Sequence, residues 1–282
     1  MFLADTLHQS AWTLEANEIF YLADMLGAKS LLDMDNPLIG YLRSGENEGW
    51  NKAEYSLKSK GVLNAAADCE ATAVAEPLLS SLSAAFDADK ACWVKYYAEN
   101  RVHEQFLHIT EERVVSLERL HENPALHRID EFGCLYQACG ILAGKMKWNT
   151  HNLGDIPALL LSKRNFKEIL VRLDEMGLNE IMSRLAKVSD DQEGIIALAK
   201  CMKTRVAHGS LRLYTRGTDG WESQSAQFIN NHHMNWLIRS STRKEEDWLI
   251  ATPTPNEAFQ DMMRHWFEHP KEALAAVKQN TN

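Results

Sequence analysis

The order of secondary structure that the sequence predicts occurs twice along the chain, and this repetition most constrains the fold. Residues 92–142 predict four short strands joined by tight turns and then a helix, and residues 210–267 predict the same series again. Aromatic and β-branched residues are frequent in the strand segments, and apolar residues return at helical spacing after them. Tight connections of this kind join antiparallel neighbours, so each series predicts a four-stranded meander.

Helical patterns precede both meanders. The expected helices are residues 12–27, 52–60 and 77–86 in the first half and residues 156–161, 166–176 and 193–202 in the second. Thr13 is the expected N-cap of the first helix and Gly27 its left-handed stop. Residues 33–51 predict a loop.

The chain therefore predicts an α+β protein with pseudo-duplicated halves. Each half has helices followed by a four-stranded antiparallel meander and a closing helix. We expect an N-terminal half at residues 1–148 and a C-terminal half at residues 149–282, packed as one compact body.

Charge and apolar patterning narrow the class of protein. Lys and Arg number 30 and Asp and Glu number 39, which gives a formal net charge of −9 and argues against a dedicated nucleic-acid binder. The sequence has no apolar run of the roughly 18 residues that a membrane span needs. Its first five residues lack the basic start of a secretory signal, so we expect a cytoplasmic protein. Five scattered cysteines, at positions 69, 92, 134, 139 and 201, predict buried reduced thiols.

Motifs for catalysis and for cofactor binding are missing from the sequence. It has no GxxxxGK[ST], no GxGxxG after a strand, no G-x-S-x-G and no HExxH. His265 and His269 are four apart on a helix but lack an evident third ligand. His232 and His233 would face opposite sides of a strand. We therefore expect no catalytic site, no metal and no cofactor, and an enzyme of unrecognised type is one alternative.

A winged-helix transcriptional regulator is the other alternative. Three helices and a hairpin are what that module needs, and residues 52–60 would be its recognition helix. This segment offers only Lys52, Lys58 and Lys60, with Glu54 among them, which is weak for contacts to phosphates and bases. We therefore do not expect nucleic acid as the partner.

Three segments of the first half are similar in type and order to those of a known protein family. They are the run from Trp12 to Gly27, residues 57–63 (LKSKGVL), and residues 76–86 leading into the first strand. This order resembles the EspG family, the specific chaperones of ESX (type VII) secretion systems, with their opening helix and "L-x-x-x-G-L" segment. The pseudo-twofold α+β architecture of that family, with a central antiparallel sheet and flanking helical bundles, matches the duplicated order above.

The resemblance implies a non-enzymatic chaperone or adaptor. Its implied partners are secreted helical-hairpin proteins of the WXG100, PE/PPE or LXG kind. Chaperones of this family engage a helical-hairpin tip through their sheet and its protruding loops, so we expect the partner at the strand-connecting segments. The candidate partner-binding residues are Tyr97, Arg101, Asp219 and Trp221. Trp221 either anchors a partner beside its glycine-flanked turn or is buried under that turn.

Overall fold

The fold is described from a computed structural model for residues 12–28, 35–42, 50–65, 72–151, 155–243 and 246–269. Within these ranges, helices, an antiparallel meander and a closing helix follow one another twice, which confirms the predicted α+β class. The first five residues and Cys69, on which two expectations rest, lie outside the described residues.

The elements up to residue 145 comprise the first meander, its closing helix and the helices and short strands that precede them. Their helices are α1 (Ala16–Met25), α2 (Pro37–Leu42), α3 (Trp50–Ser59), α4 (Glu76–Asp87) and α5 (Leu135–Lys145). Their strands are β1 (Trp12–Glu15), β2 (Leu63–Ala65), β3 (Thr72–Val74), β4 (Lys90–Ala98), β5 (Arg101–Ile109), β6 (Val114–Arg119) and β7 (Leu126–Glu131).

The later elements repeat the series. Their helices are α6 (Lys163–Val171), α7 (Leu178–Leu185), α8 (Gln192–Lys203) and α9 (Asn256–Glu268). Their strands are β8 (Leu159–Ser162), β9 (Ala207–Gly217), β10 (Gly220–Asn230), β11 (Asn235–Arg243) and β12 (Glu246–Pro253).

Ten of these strands form one sheet in the order β1-β7-β6-β5-β4-β9-β10-β11-β12-β8, and β2 pairs with β3. Each meander therefore keeps its chain order within the sheet. The pairs β5–β6, β6–β7, β10–β11 and β11–β12 are antiparallel, and so are the outer pairs β1–β7 and β8–β12.

The two outer strands, β1 and β8, lie where the sequence predicted helical residues, so the helix prediction was wrong at these positions. The backbone N–H of Glu15 donates to the Glu18 carboxylate at 2.6 Å, so α1 begins after Glu15 and Thr13 is not its N-cap. Helix α6 likewise begins after Ser162, whose hydroxyl accepts from the N–H of Asn165 at 3.5 Å. Pairing with a distant strand determines the conformation of these four-residue segments. The local spacing of apolar residues does not reveal such pairing.

Helix α2 lies within the segment that was predicted as a loop, so that prediction was also wrong. Pro37 occupies its first position, and the N–H of Leu38 donates to the Asn36 side chain at 3.0 Å. Leu38, Ile39, Tyr41 and Leu42 are buried. Burial of four apolar side chains in six residues stabilises a helix that would be too short to form alone.

The chain divides into two compact units. The first unit contains Met1–Trp93, His103–Leu135 and Leu213–Ser223, and the second contains Val94–Val102, Tyr136–Arg212 and Gln224–Asn282. The division into halves at residues 1–148 and 149–282, packed as one body, stays a prediction.

In the first unit, side chains of α1 to α4 pack on one face of the strands. The core includes Leu14, Leu22, Leu82 and Phe106, all nearly or completely buried. In the second unit, α6, α7 and α8 cover one face of the strands around Trp236. On the other face Trp148 stacks on Phe259, with ring centroids 3.8 Å apart, and its indole N–H donates to the carbonyl of Thr254 at 2.9 Å.

The four cysteines in the described part of the chain are thiols rather than disulfides. Cys92, Cys139 and Cys201 are buried as predicted, whereas Cys134 is exposed and corrects that prediction. None of the described helices has both the length and the apolar character needed to cross a membrane.

Candidate partner-binding site

Strands β4, β9 and β10 expose every second side chain in their central parts. Residues 94–98 alternate between buried and exposed, as do residues 210–213 and 225–228. Successive side chains of a strand point to opposite faces, so one face of these strands is covered and the other is open. We call the open set the exposed sheet face. It comprises Lys95, Tyr97, Val102, Ser210, Arg212, Ser225 and Gln227, all in the second unit.

Contacts between neighbouring strands place these residues on the same face. The Tyr97 ring lies 5.5 Å from the ring of His208, so the next alternate residues of β9, Ser210 and Arg212, share its side. On the covered face, the rings of Tyr96 and Phe228 lie 6.5 Å apart. Lys95 and Tyr97, on either side of Tyr96, and Gln227, before Phe228, therefore point to the open face.

A tight hairpin turn positions the apolar end of the exposed sheet face. Glu99 and Asn100 have φ of 52° and 60°, the left-handed pair that a two-residue turn between antiparallel strands requires. This turn sets Tyr97 opposite Val102. Tyr97 is 40% exposed and Val102 is 49% exposed, and the Tyr97 hydroxyl donates to the Asn100 side chain at 3.3 Å.

Gly209 explains how the strands approach each other beneath this face. A Cβ at position 209 would lie 2.4 Å from the carbonyl oxygen of Lys95 and 2.6 Å from the Cα of Tyr96. Only glycine leaves room for the β4 backbone there.

Two ion pairs lie near the Tyr97 end of the exposed sheet face. The Lys147 ammonium pairs with Glu99 at 2.5 Å, and the Arg205 guanidinium pairs with Asp174 at 2.6 Å. Partial burial, helped by the positive charge of Arg205, holds the pKa of His208 below its usual value. Uncharged imidazole therefore supports the Tyr97 ring at neutral pH.

The four residues predicted from the sequence fall into two groups. Tyr97 belongs to the exposed sheet face, and Arg101 is exposed at the same hairpin. Asp219 and Trp221 belong to the other unit, where Asp219 is exposed and Trp221 is half-buried against the apolar core. The four candidates are therefore divided between the two units, and their role in binding stays a prediction.

Sequence reasoning missed most of the exposed sheet face. Lys95, Val102, Ser210, Arg212, Ser225 and Gln227 were not among its candidate residues. The available signal was the alternation of polar with apolar residues, as in Ser210 to Leu213 (SLRL). That alternation identifies a half-buried strand but does not tell which part of its polar face the helices leave open.

The cations at the C-terminal end of α3 and just after it form ion pairs, and this bears on the DNA-binding alternative. Lys58 pairs with Glu54 at 2.6 Å, and Lys60 pairs with the fully buried carboxylate of Glu18 at 2.7 Å. A recognition helix needs cations that are free to contact phosphates and bases. The helices and the β2–β3 hairpin of a winged helix are present in order, but this charge arrangement disfavours the alternative.

No group of three or more His, Cys, Asp or Glu side chains that could hold a metal ion occurs in the described ranges. The rings of His265 and His269 lie 5.2 Å apart at the end of α9. His232 and His233 are exposed in the turn that joins β10 to β11, next to Asn231.

Among solved structures, the chain is similar to the type VII secretion system chaperone EspG5 of Mycobacterium tuberculosis, determined in complex with a PE25-PPE41 dimer. The TM-score is 0.61 at 12% sequence identity, and the match covers 90% of this chain and 95% of that chain. No family model and no curated protein matches the sequence. At this identity, the likeness establishes the shared fold alone.

Proposed function

We propose that this chain is a non-enzymatic chaperone or adaptor of the cytoplasm that binds a secreted helical-hairpin protein of a type VII (ESX) secretion system. The observation that carries the proposal is the fold likeness over 90% of the chain to a chaperone whose structure contains a bound PE25-PPE41 dimer. A client of the PE/PPE kind is therefore the first choice, with WXG100 and LXG proteins as the other kinds.

The exposed sheet face supports this function because its dimensions suit a helical tip. Four neighbouring strands, β5, β4, β9 and β10, span roughly 14 Å at the usual interstrand spacing. A helix with its side chains is about 10–12 Å wide. The face is thus wide enough for the end of one helix or for the turn that joins two helices.

A binding assay with purified proteins tests the proposal. The probes are the WXG100 proteins, the PE/PPE dimers and the LXG-type N-terminal domains encoded in the genome that encodes this chain. Each is mixed with the full chain and examined by size-exclusion chromatography and calorimetry. We expect a stable complex with at least one probe. Failure of every probe to bind would overturn the proposed function.

Two substitutions locate the binding site once a probe binds. Tyr97→Ala removes a 40% exposed ring from the exposed sheet face, and Tyr55→Ala removes a 77% exposed ring from α3. We expect the first to weaken binding by about tenfold or more, as for a central aromatic contact, and the second to leave it unchanged. The reverse result would place the partner elsewhere.

The remaining sequence candidates need variants that separate binding from stability. Arg101→Glu and Asp219→Lys change exposed charges and serve as direct tests of those positions. Trp221→Ala also removes contacts with the core of its unit, so its urea unfolding midpoint must be measured beside its affinity. A loss of affinity without a loss of stability would support a direct role for Trp221.

A further inference from the structure

The exposed sheet face has a charge opposite in sign to that of the whole chain. The formal net charge is −9, yet the seven residues of this face include Lys95 and Arg212 and no Asp or Glu. Arg212 is exposed on β9 and forms no ion pair with another described residue. Nearby cations differ in this respect, because Lys147 and Arg205 each have a carboxylate partner.

We propose that this face selects a helical tip that carries a carboxylate and an apolar side chain. The inference rests on the proposed function and adds the chemistry of the client to it. The carboxylate contacts Arg212 and Lys95, and the apolar side chain packs on Tyr97 and Val102.

Strand geometry sets the spacing that the client must match. Tyr97 lies opposite His208, and Arg212 is four residues further along β9, about 13 Å at the usual rise per residue. Ser210 lies between them and, with Ser225 on the neighbouring strand, carries a short side chain. A helix can therefore lie close to the sheet while its apolar and acidic residues reach opposite ends of the face.

The sign of the charge also decides which end of a helix fits. A helix N-terminus carries a partial positive charge and would be repelled by two cations, whereas a C-terminus or an acidic side chain is attracted. Two cations on a chain of net charge −9 are too few to hold a nucleic acid, whose binding needs several phosphate contacts. An acidic protein tip is the occupant that this arrangement favours.

Charge reversal in the full chain tests the proposal, with the probe that binds in the preceding assay. Arg212→Glu is compared with Lys187→Glu, which makes the same change in net charge at an exposed position after α7. We expect Arg212→Glu to weaken binding by about tenfold or more and to reduce its salt dependence, and Lys187→Glu to change affinity less than twofold. We also expect that a probe variant with Lys in place of the acidic residues at its helical tip binds the Arg212→Glu chain more tightly than it binds the wild-type chain.

The outcomes separate this inference from the proposed function. Binding that is equally tight for wild type and Arg212→Glu overturns the inference and leaves the function standing. Equal weakening by Arg212→Glu and Lys187→Glu also overturns it, because the effect would then follow net charge. If no probe binds the wild-type chain, both fall. Thermal unfolding of each variant confirms that affinity is compared between folded proteins.

Discussion

At the scale of single residues, a buried polar network joins α2 to the sheet of the first unit. The Tyr41 hydroxyl donates to the carbonyls of Leu117 at 2.9 Å and Glu104 at 3.2 Å. The Glu104 carboxylate accepts from the Trp93 indole at 3.0 Å and pairs with Arg119 at 3.3 Å. Arg119 also donates to the Tyr41 carbonyl and lies 4.9 Å from the centre of its ring. Burial raises the pKa of the Tyr41 hydroxyl, so it stays protonated and remains a donor.

Tyr41→Phe removes this donor and leaves two buried carbonyls without it. We expect the free energy of unfolding to fall by about 1–2 kcal/mol, the usual cost of a lost buried hydrogen bond. Urea unfolding measures it, and Tyr55→Phe on the exposed ring of α3 is the matched control with no expected change. Equal stability of the two variants would mean that the two hydrogen bonds of the Tyr41 hydroxyl contribute nothing to stability.

Two buried histidines make the first unit sensitive to acid. Burial lowers the pKa of His108 to about 3 and that of His127 to about 4, the latter helped by the charge of Arg119. Below the unfolded pKa of about 6.5, the unfolded chain binds protons that the folded chain excludes, so stability falls as pH falls from about 6.5 to 4. Each histidine contributes about 1.4 kcal/mol per pH unit in that window.

Unfolding midpoints in urea at pH 7 and pH 5 measure this effect. We expect His108→Leu to lose less stability between the two values than wild type, because one of the excluded protons is gone. His232→Leu, at an exposed position, should behave as wild type. A wild-type-like pH dependence for His108→Leu would contradict the assigned pKa shift.

At the scale of elements, the sequence predicted those helices and strands whose signals are local. The stops of α1 and α3 are Gly27 and Gly61, both with positive φ, and Pro77 lies in the first turn of α4. Strands β1 and β8 were missed because each depends on pairing with a strand far away in sequence. Tyr97 could be chosen as an aromatic residue near a turn, whereas Arg212 becomes a candidate only when the helices that leave it exposed are known.

Substitution by alanine should change the stability of the protein in opposite directions at Gly209 and Gly144. Gly209→Ala places a Cβ against the β4 backbone, and we expect it to destabilise the protein by about 3 kcal/mol or more. Gly144→Ala lies in α5, where nothing is within 4 Å of the added methyl, and should stabilise by about 0.5–1 kcal/mol. Thermal unfolding of both variants checks the pair, and a neutral Gly209→Ala would contradict the close approach.

At the scale of the whole molecule, we propose that an open face of the sheet receives the helical tip of a secreted partner. The likeness to EspG5 supports the fold, and the exposed alternation in β4, β9 and β10 supports the location. These two observations are independent, since the exposed face follows from this chain's own burial pattern.

Site-specific photo-crosslinking shows which surface of the protein contacts the bound partner. A benzophenone amino acid replaces Ser225, on strand β10 of the exposed sheet face, in one sample and Val171, which is 77% exposed on α6, in another. Each full-length variant is irradiated with the helical-hairpin probe that binds wild type, and the crosslinked peptides are identified by mass spectrometry. We expect a crosslink from position 225 to the tip of the probe and none from position 171. A crosslink from position 171 alone would mean that the partner does not bind the exposed sheet face.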